Sequence, residues 1–164
     1  MANLTVWKFD TASGAKEALT ALAELQRQHH IVLVDAAIVT WPRGKKQPRT
    51  QQAVDLVGRG ALDGAFWGML FGFLFFAPML GLAVGAALGG LSGKFRDYGI
   101  NDDFIKDVRS KVTEGTSALF LLTGAASREK IQEAFRNVKM DLITSNLSEA
   151  QEAELRAAFG SEGG

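Results

Sequence analysis

The chain has 164 residues, 47% of them hydrophobic and 22% charged, with 18 basic side chains against 18 acidic ones. That length suits one compact domain, or one domain with an insertion, and is enough to bury a core. Zero net charge gives no general pull toward nucleic acid; zero cysteines exclude disulfides, thiolate metal sites and thiol catalysis; and two adjacent histidines, His29 and His30, are too few for a histidine-rich metal centre.

Met1 to Phe9 lacks a basic region leading into an apolar one, so the N-terminus is expected to stay in the cytoplasm. Leu4 to Phe9 is β-branched and aromatic and predicts a first strand. A helix is expected from about Ala12 to Gln28, with Ala15, Ala18, Leu19, Leu22 and Leu25 at three- and four-residue steps and Thr11 or Ser13 as its cap. Ile31 to Trp41 reads as the second strand, too continuously apolar at Ile-Val-Leu-Val for a one-sided sheet. Pro42 to Pro48 is a basic, proline-bounded loop.

Further on, Asn101 caps a helix over Asp102 to Val112, with Asp102 and Asp103 in its first turn, where the helix dipole favours acids. Ser117 to Leu122 predicts a third strand, and Ser127 starts a helix with Ile131, Ala134, Phe135 and Val138 on one face. Met140 to Ser145 is a fourth strand, and Ser148 with Gln151 matches a capping box for a last amphipathic helix. The order strand–helix–strand, strand–helix–strand predicts an α+β fold, the ferredoxin-like βαβ-βαβ sandwich, with another small α+β arrangement as the alternative. In this reading residues 1–50 and 98–147 form the ferredoxin-like domain, 51–97 an inserted apolar helical hairpin between strands 2 and 3, and 148–164 a C-terminal amphipathic helix with a frayed tail. Two helices cover one face of such a sheet, so extra helices or a second subunit must cover the other, and self-association is expected.

The insertion is the unusual segment. Gly64 to Gly93 runs for 30 positions without a charge and holds five of the eleven phenylalanines. Two sets of glycines recur at four-residue steps: Gly60, Gly64, Gly68 and Gly72, then Gly81, Gly85, Gly89 and Gly93, with the hairpin turn at Pro78 between them. A four-residue step keeps each set on one helical stripe, a groove that lets two backbones approach closely. Glycine costs about 1 kcal/mol in a helix relative to alanine, which close packing must offset. These residues are therefore assigned to helix packing and oligomerisation.

A bilayer core of about 30 Å needs roughly 20 helical residues. Ala61–Ala77 supplies 17 and Met79–Gly93 supplies 15, or roughly 25 and 22 Å. The arms can span a thinned bilayer, dip into one leaflet, or stay out of lipid as the core of a soluble oligomer. Both borders are basic, Arg59 before the first arm and Lys94 and Arg96 after the second, with Arg43, Lys45, Lys46 and Arg49 in the preceding loop. Cytoplasmic flanks have this character, and the cluster suits anionic headgroups.

The run from Gly64 to Gly93, the Asp102-Asp103-Phe104-Ile105 helix start and the Gly115 to Phe120 strand together resemble bacterial domain-of-unknown-function family 1269, described as predicted membrane proteins. The resemblance implies a cytoplasmic-side ferredoxin-like domain with a hydrophobic hairpin, and no catalytic residues to carry over. No catalytic constellation, phosphate loop or dinucleotide fingerprint stands out in the chain. The expectation is a non-enzymatic structural or interaction protein with no cofactor and no metal. It inserts its hairpin into the bacterial inner membrane from the cytoplasmic face and homo-oligomerises, its partners being itself and the bilayer, with neither nucleic acid nor a small-molecule substrate. The alternative is a cytoplasmic self-assembling protein whose hairpins form the buried core of a large homo-oligomer.

Overall fold

The computed structural model describes residues 2–31, 33–52, 64–76 and 93–159. In chain order the elements are β1 (Ala2–Phe9), α1 (Gly14–Arg27), β2 (Leu33–Thr40), β3 (Arg49–Gln52), α2 (Gly64–Phe71) running into a π-helical turn (Gly72–Phe76), α3 (Asp102–Lys111), β4 (Ser117–Gly124), α4 (Ala125–Ala134), β5 (Met140–Leu147) and α5 (Glu149–Phe159). A short helical turn, 93–97, precedes α3. The fold is α+β, built on a five-stranded antiparallel sheet of order β3-β2-β4-β1-β5.

The sheet is centred on β4, where Ser117 to Thr123 are all buried. Strand side chains alternate between faces, so this run needs cover on both sides. On one face Leu119 and Leu121 meet Trp7 and Phe9 of β1, with Leu22 of α1 and Ile131 of α4 above them. On the other, Phe120 and Leu122 meet Leu4 and Val6, and the cover comes from α2, its π-helical turn, the 93–97 turn, α3 and α5. The same chain thus covers both faces, and the uncovered face that the two-helix count left for a second subunit does not exist.

Local chemistry explains several element ends. Asn101 caps α3 by accepting from the Phe104 backbone N–H at 2.9 Å. The Ser148–Gln151 capping box starts α5, each side chain accepting from the other's backbone N–H, at 2.9 and 3.2 Å. Ser13 occupies the N-cap of α1 but makes no side-chain cap bond. Ser117 from β4 replaces it, accepting from the Ala15 N–H at 2.9 Å and donating to the Thr11 carbonyl at 2.7 Å, so a tertiary contact takes over a local cap. Helix α4 starts at Ala125, two residues ahead of the expected Ser127, and ends before Val138, which is 45% exposed instead of sharing the buried face of Ile131 and Phe135. Strand β3 falls where a basic loop and the start of the insertion were expected; its Arg-Thr-Gln-Gln sequence pairs with Ala37–Thr40 as an edge.

Candidate functional site

The candidate site is the described half of the apolar insertion, α2 and its π-helical turn. Its bulky residues follow four-residue steps, as its glycines do. Trp67, Phe71 and Phe75 stack in succession, with centroids 5.7 and 6.1 Å apart. Each also stands edge-on to Phe120 of the central strand, at 6.5, 5.0 and 6.5 Å. Phe66, Leu70 and Leu74 form the adjacent stripe and are at most 1% exposed. The far end of α5 closes this side, with Phe159 edge-on to Phe66 at 5.6 Å. The arm expected to enter lipid lies with its aromatic side on the sheet.

The glycines lie on the other side. Gly64 and Gly68 are exposed and Gly72 is half-buried. Among the described residues, a Cβ added at Gly68 or Gly72 would meet no atom within 4 Å, and one at Gly64 would meet only Gln52 Oε1, at 3.7 Å. At Gly93 it would meet Arg96 Nη2 at 3.8 Å. Gly60, Gly81, Gly85, Gly89, the turn at Pro78 and the flanking Arg59 lie outside the described residues. Among the described residues no helix is long and apolar enough to cross a membrane.

The basic residues divide between two segments beside the π-helical turn. Trp41, at the start of the basic loop, stands edge-on to Phe75 at 6.1 Å, and Phe95 of the 93–97 turn stacks on Phe73 at 5.4 Å. Arg43, Lys45, Lys46, Arg49, Lys94 and Arg96 are all exposed. Arg43 lies across Gly115, whose φ of +87° and 3.2 Å clearance from the Arg43 side chain would strain a larger residue. Arg96 pairs with Asp102 at 3.6 Å.

Two polar residues that sequence reasoning passed over prove central. Arg109 of α3 donates from Nε to the Leu74 carbonyl at 3.2 Å and from Nη2 to the Phe73 carbonyl, with its guanidinium 4.7 Å from the Phe73 ring centroid. A π-helical turn disturbs the regular i→i−4 ladder, and Arg109 serves two of its carbonyls. Burial lowers the Arg109 pKa from its ordinary value, and the group stays a cation. The available signal was its place one turn after Ile105 and next to Val108, on the inward side of an amphipathic helix. Asp35 is wholly buried beside a bulge in β2, its Oδ1 accepting from the Ala36 N–H at 2.8 Å and from Gln52 Nε2 at 3.2 Å. It was visible as the one acid in an apolar strand.

Among the described residues no group of three or more His, Asp or Glu side chains could hold a metal ion. The arrangement defines an α+β protein whose distinctive feature is a two-sided apolar helix, aromatic toward the sheet and glycine-bearing outward. The chain belongs to the family described as Protein of unknown function (DUF1269), which it matches over residues 61–160, from the insertion to the end of α5. No curated protein matches it, and no solved structure does.

Proposed function

We propose that this chain is a non-enzymatic interaction protein that assembles with copies of itself through the outer side of its apolar 64–93 segment, carried on a ferredoxin-like body. The body reading is supported by the order β2-β4-β1-β5 with α1 and α4 on one face, the layout that two βαβ units produce, with β3 as an added edge. The observation that carries the assembly reading is the division of α2. Its aromatic side is occupied by the sheet, while Gly64 and Gly68 are exposed on the side where a second helix could approach closely. Residues 77–92, the other half of the run, contain no charge either.

Insertion into the cytoplasmic face of the bacterial inner membrane is the second reading, favoured by the 30-residue uncharged run with Arg59 before it and Lys94 and Arg96 after it. Detergent-free fractionation tests both. Recovery as a uniform soluble oligomer after carbonate washing supports assembly. Retention in the washed membranes refutes it in favour of insertion, and a detergent-free monomer refutes both.

A further inference from the structure

Four buried side-chain atoms have no hydrogen-bond partner among the described residues: Trp67 Nε1, Thr123 Oγ1, Arg128 Nε and Gln26 Oε1. The last three belong to the sheet face under α1 and α4. Thr123 follows Leu119 and Leu121 at two-residue steps and shares their face. Arg128 precedes Ile131 and Phe135 by three and seven residues, on the inward stripe of α4, and Gln26 follows Leu22 by four on α1. They also share one end of that face. Ala15 is bonded to Ser117 at the opposite end. From there the helix to Gln26 covers about 17 Å and the strand to Thr123 about 20 Å. Buried polar groups in folded proteins are paired with protein, water or a ligand, so this cluster calls for a partner.

Its surroundings select the charge of that partner. Here β4 runs directly into α4 through Gly124, which as N-cap has no side chain to serve the first-turn N–H groups. No acid lies in that turn. A Cβ added at Gly124 would meet no atom within 4 Å among the described residues, so the helix start has room beside it. Gly124 and Arg128 are half-buried, which leaves the place open to solvent, whereas Thr123 is wholly buried. Asn3, opposite Thr123 in β1 and 6% exposed, adds an amide on the same face. A guanidinium, a hydroxyl, an amide and the positive end of a helix dipole together favour an anion. We propose that the β4–α4 junction is a binding site for a phosphate group. A tetrahedral oxyanion offers separate oxygens to the helix start, Arg128 and Thr123, and its protonated oxygen suits the acceptor Gln26 Oε1. A carboxylate has only two oxygens in one plane and would serve fewer of these groups. The site lies on the other side of the sheet from the glycine-bearing helix, so it stands or falls independently of self-assembly there.

The test titrates the full chain with millimolar inorganic phosphate, against chloride at equal ionic strength, by calorimetry and thermal unfolding. The native chain is expected to bind one phosphate and to show a Tm that rises with its concentration. Thr123→Val keeps the shape of the side chain but removes the hydroxyl, and is expected to weaken binding about tenfold or more. Arg128→Gln is expected to weaken it at least as much, and its half-buried position keeps the test valid if the valine variant folds poorly. Sedimentation with phosphatidic acid vesicles, against phosphatidylcholine alone, distinguishes the source. Vesicle binding that is lost in the same variants supports the site with a lipid headgroup as occupant, and phosphate binding without vesicle binding supports it with a free phosphate. A phosphate response no larger than that of chloride, or one unchanged in both variants, overturns the proposal and leaves buried water as the partner of these atoms.

Discussion

At the scale of single residues, the glycines of α2 separate folding from assembly. Among the described residues nothing stands within 4 Å of a Cβ at Gly68, so Gly68→Ala removes glycine's helix penalty and the monomer should gain up to about 1 kcal/mol. Gly68→Leu places a larger side chain on the side of α2 turned away from the sheet and fills the groove that a second helix would use. The expected outcome is a melting temperature at or above that of the native chain in both variants, with the oligomer lost only in Gly68→Leu, read by thermal unfolding and sedimentation. Arg109 is sensitive in the opposite way. Arg109→Ala leaves two carbonyls of the π-helical turn unserved and removes a cation from the Phe73 face, an expected loss of about 2–3 kcal/mol. That is a fall in Tm of roughly 4–12 °C for a chain of this size, with Arg109→Lys intermediate because it lacks the guanidinium fork. A third residue-scale prediction concerns pH. Lys8 Nζ bridges Asp10 at 2.8 Å and Asp141 at 3.3 Å. The Asp10 hydrogen bond raises the Lys8 pKa above its ordinary 10.5 against the lowering effect of burial, and the same bond holds the Asp10 carboxyl below its ordinary 3.8. The carboxylate's contribution is complete above 3.8 and lost as pH falls through its depressed value. The ammonium's contribution is complete below 10.5 and lost as pH rises through its raised value. The difference between thermal melts of the native chain and of Lys8→Met should therefore be constant between those limits and narrow outside them.

At the scale of elements, the apolar helix acts as part of the core. Burying each large side chain of α2 stabilises by about 1.5–3 kcal/mol, and a domain's whole stability is about 5–15 kcal/mol. If the helix leaves the sheet, lipid can solvate its own side chains, but Leu4, Val6, Phe120 and Leu122 lose their cover. Insertion therefore carries a cost comparable to unfolding. Trp67 probes this packing. It is 2% exposed, and among the described residues its indole N–H is buried without a hydrogen-bond partner. Trp67→Ala should cost about 3–5 kcal/mol. Trp67→Phe should stay within about 1.5 kcal/mol, since relief of the unsatisfied donor offsets the lost volume; denaturant unfolding separates the two. Much at this scale was legible in the sequence. β-Branched and aromatic residues located β1, the apolar run Ser117–Leu122 located β4, and the Asn101 cap and the Ser148–Gln151 box located α3 and α5, because those signals act between near neighbours. Strand β3 was not legible, since Arg-Thr-Gln-Gln carries no β signature and pairs only because β2 offers an edge. The orientation of α2 was not legible either. Glycines and aromatics share the same four-residue step, and only the presence of Phe120 decides which stripe faces the sheet. Arg109 and the substitute cap Ser117 act across 35 and 102 positions of sequence, beyond any local pattern.

At the scale of the whole molecule, one core contains both the described part of the insertion and the sheet's second face, and this yields a decisive deletion. Excising residues 64–93 should uncover that face, leaving a product that aggregates or binds a hydrophobic dye when centrifuged and probed without detergent. A hairpin that merely anchored an independent domain could be removed to leave a soluble, folded remainder, and that result would refute the shared-core account. The sheet's pairing order also determines what the chain meets during synthesis. β1 pairs with no strand before β4, Ala2 lying opposite Gly124 and, on its other side, Leu147. Until β4 emerges, the one strand pair that can form among the described residues is the β2–β3 hairpin, too little to shelter an aromatic helix. At about 5–20 residues per second, the uncharged run made from residue 64 onward waits roughly 4–17 s for the last strand to leave the ribosome. The segment is therefore synthesised before its own sheet exists, and translation speed sets how long its aromatic side goes without the cover of Phe120.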